Sequence, residues 1–175
     1  MATWWQLAAG LLGGGAMGAL LTAVITAFRG RIQPVSYTVR VTLLSPTKPG
    51  ISLIFCDDSG TEWPYSNLYE TVVSVRNQSN KDWPRFSFGL TLQSYHKATF
   101  ASVETPDRHH ELALASAISP SAPISELDYT STPFNRGDEY TLKLYIVAYN
   151  NRPLAESDIR LGSVEAVRFS RVSHL

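Results

Sequence analysis

Residues 140–150 read YTLKLYIVAYN, and this stretch decides the fold class of the chain. Every second position carries an apolar or aromatic side chain: Tyr140, Leu142, Leu144, Ile146 and Ala148. Because neighbouring side chains of a β-strand point to opposite faces, this period of two predicts a strand with one face in a core. On the opposite face of the strand, the later positions Tyr145, Val147 and Tyr149 are also apolar or aromatic. We therefore expect the strand to be buried on both faces, or covered by a partner on one.

The same alternation occurs earlier in the chain, at residues 35–43 and 86–92. Shorter apolar runs predict further strands at residues 51–55, 69–76, 98–103, 112–118 and 163–169. Clusters of Pro, Gly, Asn and Asp separate these runs, and no long amphipathic helical pattern follows residue 31. The expected fold is therefore mainly β, an antiparallel sandwich.

Residues 134–150, FNRGDEYTLKLYIVAYN, resemble the late strand of fibronectin type III and related immunoglobulin-like domains. In those families a turn containing Gly precedes a tyrosine and a run of alternating aliphatic side chains. The resemblance implies that Tyr140 forms a tyrosine corner, with its hydroxyl bonded to backbone upstream. Residues 69–88 resemble two neighbouring strands of the same kind of sandwich. An immunoglobulin-like β-sandwich is thus implied, although a fold alone assigns no function.

Residues 4–28 carry no charged side chain and read WWQLAAGLLGGGAMGALLTAVITAF. A helix over this stretch is long enough to cross the roughly 30 Å hydrocarbon layer of a bilayer with some tilt. We therefore expect two parts: a transmembrane anchor helix at residues 1–31, spanning about 4–28, and a β-sandwich domain at residues 32–175. The lipid bilayer is the first expected partner.

The residues at the two ends of this segment predict its orientation. Trp4 and Trp5 suit one membrane–water interface, and Arg29 and Arg31 suit the other. By the positive-inside rule, the arginine end faces the cytosol, which places the N-terminus outside and the C-terminal domain in the cytosol. The competing interpretation is a cleaved signal peptide, but the basic n-region that such a peptide needs is missing.

Small residues form a stripe along one face of the expected helix. Gly10, Gly14 and Gly18 are spaced by four residues, and Thr22 continues the series. Such stripes let helix backbones approach closely in lipid, so we expect this helix to pack on a second copy or on another membrane helix. The alternative is that Gly is simply frequent in membrane helices.

Composition and motifs exclude several function classes. Lys and Arg number 15, as do Asp and Glu, so the chain lacks the positive charge that a nucleic-acid surface needs.

Cys56 is the only cysteine, so no intrachain disulfide forms, and we expect a buried strand thiol. No G-x-S-x-G elbow and no phosphate-binding glycine loop occurs in the soluble part. We therefore expect no enzyme activity, no catalytic residue, no metal and no cofactor.

Three short polar motifs are interpreted as turns rather than sites. His109 and His110 are adjacent, so in an extended chain they point to opposite faces and do not share a metal ion. Residues 136–138, Arg-Gly-Asp, match the integrin-binding tripeptide but lie where a turn needs Gly and Asp. Residues 77–79 fit a glycosylation sequon. The expected membrane orientation places this sequon in the cytosol, which argues against its glycosylation.

Aromatic residues beside proline mark the candidate partner surface. Trp63 and Tyr65 flank Pro64, and Trp83 precedes Pro84. Aromatic side chains in loops are enriched at binding surfaces, although burial at the end of a sandwich is the commoner outcome for Trp.

Together these features predict a single-pass, membrane-anchored, non-enzymatic protein-interaction module, such as an adaptor, a scaffold or an accessory subunit. Its protein partner is unknown from the sequence. The first alternative is an oligomerising membrane effector that permeabilises the bilayer, with the sandwich as a sensor. The second alternative is an exported sandwich that binds a ligand outside the cell.

Overall fold

The computed structural model describes residues 32–44, 53–56, 60–65, 67–150 and 152–172. By its contacts the chain divides into two units, Met1–Ile32 and Gln33–Leu175. The expected anchor, with Trp4, Trp5, Arg29, Arg31 and the stripe Gly10, Gly14, Gly18 and Thr22, lies outside the described residues and stays a prediction. No helix among the described residues is long and apolar enough to cross a bilayer.

Two β-sheets and a hairpin account for the strands of the described residues. The strands are β1 (Gln33–Leu43), β2 (Leu53–Cys56), β3 (Glu62–Tyr65), β4 (Leu68–Asn77), β5 (Phe86–Leu92), β6 (His96–Glu104), β7 (Glu111–Leu114), β8 (Glu126–Thr132), β9 (Glu139–Ala148), β10 (Ile159–Gly162) and β11 (Val167–Arg171). A short 3-10 helix, Glu156–Asp158, precedes β10.

The first sheet has the strand order β11-β1-β4-β9-β6, and the second has the order β10-β5-β8-β7. β2 and β3 pair with each other as a hairpin. The two sheets confirm the predicted mainly-β sandwich and are consistent with an immunoglobulin-like one. The purely antiparallel pairing that we predicted is wrong at one place, because β1 and β11 run parallel. The chain reaches β11 from β10 in the other sheet, and that crossover is what allows a parallel pair.

The alternating apolar residues of the sequence form the core between the sheets. In β9, Leu142, Leu144 and Ile146 are fully buried, and in β5 Phe86 and Leu90 are buried as well. The outward face of β9 is covered only in part. Val147 is 6% exposed there, whereas Tyr149, just beyond the strand, is 41% exposed.

The turn before β9 has the tyrosine corner that the resemblance implied. The Tyr140 hydroxyl donates a hydrogen bond to the Pro133 carbonyl, seven residues upstream. Burial is the main cause that raises the pKa of Tyr140 to about 12, and Asp138 adds to it. Gly137 has a φ of 89°, a conformation that Gly adopts without strain, so the tripeptide 136–138 serves the turn.

Asn77 connects the end of β4 to the same turn. Its amide nitrogen donates to the Phe134 carbonyl at 3.1 Å and to the Lys81 carbonyl at 2.9 Å. Its amide oxygen accepts from the Ser79 backbone N–H at 2.9 Å. The side chain is 1% exposed. The Asn77 side-chain amide, which belongs to the sequon, is therefore buried and holds the end of β4 to this turn through hydrogen bonds.

Candidate interaction surfaces

The predicted aromatic residues Trp63 and Tyr65 lie on strand β3. They are two positions apart, so they share one face of the β2–β3 hairpin, and each is half-buried. The Tyr65 hydroxyl donates to the Pro120 carbonyl at 3.4 Å. Burial raises the pKa of Tyr65, and the nearby Tyr149 raises it further. Tyr65 therefore lies on the same side of the domain as Tyr149, which follows β9.

Trp83 belongs to the core and not to a partner surface, which corrects our prediction for this residue. It is 4% exposed. Its indole ring stacks on Phe134 with the ring centroids 5.9 Å apart, and it lies 5.2 Å from the Phe86 ring. A backbone bridge to Phe134 holds it there. The aromatic rings of Phe86 and Phe134 cover the Trp83 side chain, and burial of this kind is the usual outcome for Trp.

A group of aromatic side chains lies at the β6 side of the first sheet. Phe100 and Tyr145 belong to the strands β6 and β9, Tyr95 and Tyr149 lie next to the ends of these strands, and Tyr65 lies on the β2–β3 hairpin. We call it the aromatic surface, and it consists of Tyr65, Tyr95, Phe100, Tyr145 and Tyr149. Phe100 is 40% exposed and Tyr149 is 41% exposed. The Phe100 and Tyr145 ring centroids are 5.9 Å apart. The Tyr149 backbone N–H donates a hydrogen bond to the Tyr95 carbonyl at 2.8 Å, which holds the backbones of these two residues side by side.

Two cations lie over rings of the aromatic surface. The Lys97 ammonium is 6.0 Å from the Tyr149 ring centroid, and the Arg152 guanidinium is 4.8 Å from that of Tyr95. Among the described residues, neither cation forms an ion pair. Their positive charge is therefore available at the edge of an aromatic patch.

A β-bulge explains why the sequence pattern did not reveal Phe100 as a surface residue. Ala98 and Phe100 share the phase of one strand face, so alternation alone places both in the core. The register with β9 shifts between Ala98 and Phe100. Thr99 is consequently buried and donates to the Tyr145 carbonyl at 3.1 Å, while Phe100 points outward. Tyr145 and Tyr149 were visible in the sequence, as members of the second apolar set.

His110 forms a bridge between two acidic side chains. Its Nδ1 is 2.7 Å from the Asp107 carboxylate, and its Nε2 is 2.9 Å from the Asp138 carboxylate. The hydrogen bond to Asp107 is the largest cause that raises the pKa of His110, and the same bond lowers the pKa of Asp107. The neighbouring His109 accepts from Arg108 at 3.2 Å. The two imidazole rings thus have different side-chain partners, although Asp107 Oδ1 also accepts from the His109 backbone N–H.

Cys56 differs from the sequence expectation. We expected a buried strand thiol, but Cys56 is exposed, because β2 belongs to the two-stranded hairpin and not to either sheet of the sandwich. A side chain on such a hairpin has a core on at most one face.

The chain matches no protein-family model, and no curated protein matches it. Among solved structures, a two-domain M1 zinc metallopeptidase mutant bound to L-tryptophan aligns with a TM-score of 0.31 and 13% identity, over 67% of this chain and 20% of that one. A biomass-sensing module from putative RsgI-like proteins of Clostridium thermocellum, described as resembling a family 3 carbohydrate-binding module, aligns with a TM-score of 0.25 and 8% identity, over 69% of this chain and 78% of that one. Similarity this low carries no argument about function.

Proposed function

We propose that this protein is a single-pass, membrane-anchored, non-enzymatic protein-interaction module, in which the cytosol-facing β-sandwich binds a protein partner through the aromatic surface. It would act as an adaptor, a scaffold or an accessory subunit of a membrane complex. The uncharged segment 4–28 and the arginines that follow it support the anchor and its orientation.

The aromatic surface is the observation that carries the proposal. Tyr and Phe side chains are enriched where proteins bind one another, because each offers a large apolar area with few rotatable bonds. Phe100 and Tyr149 together leave such area in contact with solvent. Their neighbours Tyr65, Tyr95 and Tyr145 are already half-buried, so they lose little freedom when a partner covers them.

The cations at this surface indicate the chemistry of the partner. Lys97 and Arg152 lie over aromatic rings and form no ion pair among the described residues. A partner with an apolar patch bordered by Asp or Glu complements both features. The expected helix stripe at Gly10, Gly14, Gly18 and Thr22 adds a second means of assembly within the bilayer.

Site-specific photo-crosslinking of the full chain in its native membranes tests this proposal. A benzophenone side chain is placed at Phe100, at Tyr149 and, as a control, at Arg40, which is exposed on the outer face at the other side of the same sheet. We expect Phe100 and Tyr149 to give the same adduct, which Arg40 does not give. Lys97→Glu should lower its yield at least about five-fold, because it reverses a charge at the contact.

Three outcomes contradict the proposal. The first is that no adduct forms at Phe100 or Tyr149. The second is an adduct that forms equally at Arg40, which indicates contact without specificity. The third is an adduct of twice the mass of the chain, which assigns the aromatic surface to a second copy.

A further inference from the structure

A groove on the outer face of the second sheet, opposite the face that packs in the core, has the features of a separate binding site. It has a volume of about 340 Å³ and is lined by residues of β5, β8 and β10 and of the segment after β10. This volume lies at the lower end of the range of about 300–1,000 Å³ that is common for ligand sites. Its existence does not depend on the aromatic surface, which lies on the other sheet.

Two glycines side by side form the floor of this groove. Gly162 of β10 pairs with Gly89 of β5, and Gly89 pairs with Asp128 of β8. Phe88 and Leu90 point into the core, so Gly89 faces outward, between them in the strand. Adjacent strands lie about 4.8 Å apart, so at this point two neighbouring strands carry no side chain of their own.

The Asp128 carboxylate lies over one end of this floor. A Cβ atom on Gly89 would lie 2.9 Å from Asp128 Oδ1, so the carboxylate lies directly over the Gly89 backbone. Among the described residues, Asp128 has no ion-pair or hydrogen-bond partner for its side chain. An unpaired negative charge therefore borders a flat, uncharged floor.

Hydroxyl groups form the walls and hold them in place. Ser87 Oγ and Thr130 Oγ1 are 3.1 Å apart on neighbouring strands. Ser163 Oγ donates to the Ser87 carbonyl at 2.6 Å and accepts from the Glu165 N–H at 3.0 Å. These bonds fix the segment that carries Val164, which is 96% exposed, as the far wall.

We propose that this groove binds an arginine side chain of a protein partner. A guanidinium group is planar and lies flat on the glycine backbone, and its N–H groups donate in pairs to a carboxylate such as Asp128. The hydroxyls of Ser87, Thr91 and Thr130 accept further N–H bonds at the rim. The charge of Asp128 then gains the partner that it lacks within the chain.

The test uses the full chain in detergent micelles, labelled with ¹⁵N-glycine. The amide signals of Gly89 and Gly162, which line the groove, report binding. Those of Gly60 and Gly137, which do not line it, are the internal controls. The probe is N-acetyl-arginine amide, and N-acetyl-citrulline amide is the neutral control of the same shape. We expect the arginine probe alone to shift the Gly89 and Gly162 amide signals, while those of Gly60 and Gly137 stay in place.

Two variants make the assignment specific. Asp128→Asn removes the charge and should weaken binding of the arginine probe at least about five-fold. Gly162→Val should abolish it by filling the groove. A Cβ at position 162 has no atom within 4 Å, so the fold accepts this variant, and unchanged Gly60 and Gly137 signals confirm folding.

Several results overturn the proposal. Asp128→Asn that binds as well as the original protein removes the role of the carboxylate. Equal shifts with the citrulline probe remove the role of the positive charge. Tighter binding of free arginine than of the blocked probe assigns the groove to a free amino acid and not to a protein. Shifts at Gly60 and Gly137 as large as those in the groove show non-specific binding.

Discussion

Two buried tyrosines show how a single hydroxyl group changes the contribution of a residue. Tyr129 in β8 and Tyr140 in β9 are 1% and 0% exposed, and both rings belong to the core. The Tyr140 hydroxyl donates to the Pro133 carbonyl. The Tyr129 hydroxyl has no partner among the described residues, and its burial raises the pKa of Tyr129. A buried polar group without a partner costs free energy, whereas a satisfied one stabilises the fold.

The two tyrosines should therefore respond in opposite directions to the loss of their hydroxyls. We expect Tyr129→Phe to raise the free energy of unfolding by about 1 kcal/mol, because a desolvated group is removed. Tyr140→Phe should lower it by about 1 kcal/mol, because it leaves the Pro133 carbonyl without its donor. Urea unfolding of the full chain in micelles, followed by tryptophan fluorescence, measures both. Equal destabilisation by the two variants would contradict this assignment.

At the scale of elements, His110 links two connections that are distant in sequence. It ends the loop between β6 and β7, and Asp138 ends the turn between β8 and β9. Asp107 holds the loop as well, because it accepts from the His109 N–H at 2.7 Å. Asp138 holds the turn, because it accepts from the Asn135 N–H at 2.6 Å. A protonated His110 donates to both carboxylates and ties the loop to the turn.

This link should depend on pH. The pKa of His110 is raised from 6.5 in the fold, so its stabilisation is present below pH 6.5 and is lost as the pH rises through the raised value. The pKa of Asp107 is lowered from 3.8, so its stabilisation is present above pH 3.8 and is lost as the pH falls through the lowered value. We expect His110→Gln to destabilise the protein most between pH 3.8 and pH 6.5, and least in alkaline solution.

Urea unfolding at a series of pH values measures this difference. His109→Gln is the matched control, because the His109 ring meets Arg108 and not a carboxylate. A destabilisation by His110→Gln that is the same at acidic and alkaline pH would show that the imidazole acts only through packing, for example against the Tyr140 ring at 6.1 Å.

At the scale of the whole molecule, the orientation that we propose for the sandwich is inferred from the arginines that follow the uncharged segment. Cys56 provides a direct probe of it, because it is the only cysteine of the chain and is exposed. We expect a membrane-impermeant maleimide to leave Cys56 unlabelled in intact cells that express the full chain, and to label it once the membrane is permeabilised.

The control variant carries Ala2→Cys together with Cys56→Ser, which moves the thiol to the end that is expected outside. This variant should be labelled in intact cells. Labelling of Cys56 in intact cells would place the sandwich outside and would overturn the cytosolic part of the proposed function.

Alternation in the sequence determined the main strands and the sandwich class. In β1, β4, β5 and β9, apolar residues occupy every second position for most of the strand, and the core they form requires that pattern. β3, β8 and β10 were not predicted. β8 has only Leu127 and Tyr129 as inward apolar residues, β10 is four residues long, and β3 contains Pro64. β8 and β10 become strands through their pairing with β5, which is remote from both in sequence.

Only the tertiary structure decided which aromatic residues reach the surface and where the groove lies. Trp83 entered the core because Phe86 and Phe134 pack against it, and Phe100 turned outward because a bulge changed the phase of β6. The groove brings together Gly89, Asp128 and Gly162, which come from three strands that pair only in the folded sheet. The sequence by itself determined the uncharged segment and the β-rich domain, because local periodicity records burial on one face. Pairing between distant strands leaves no local pattern, so these sites depend on the fold.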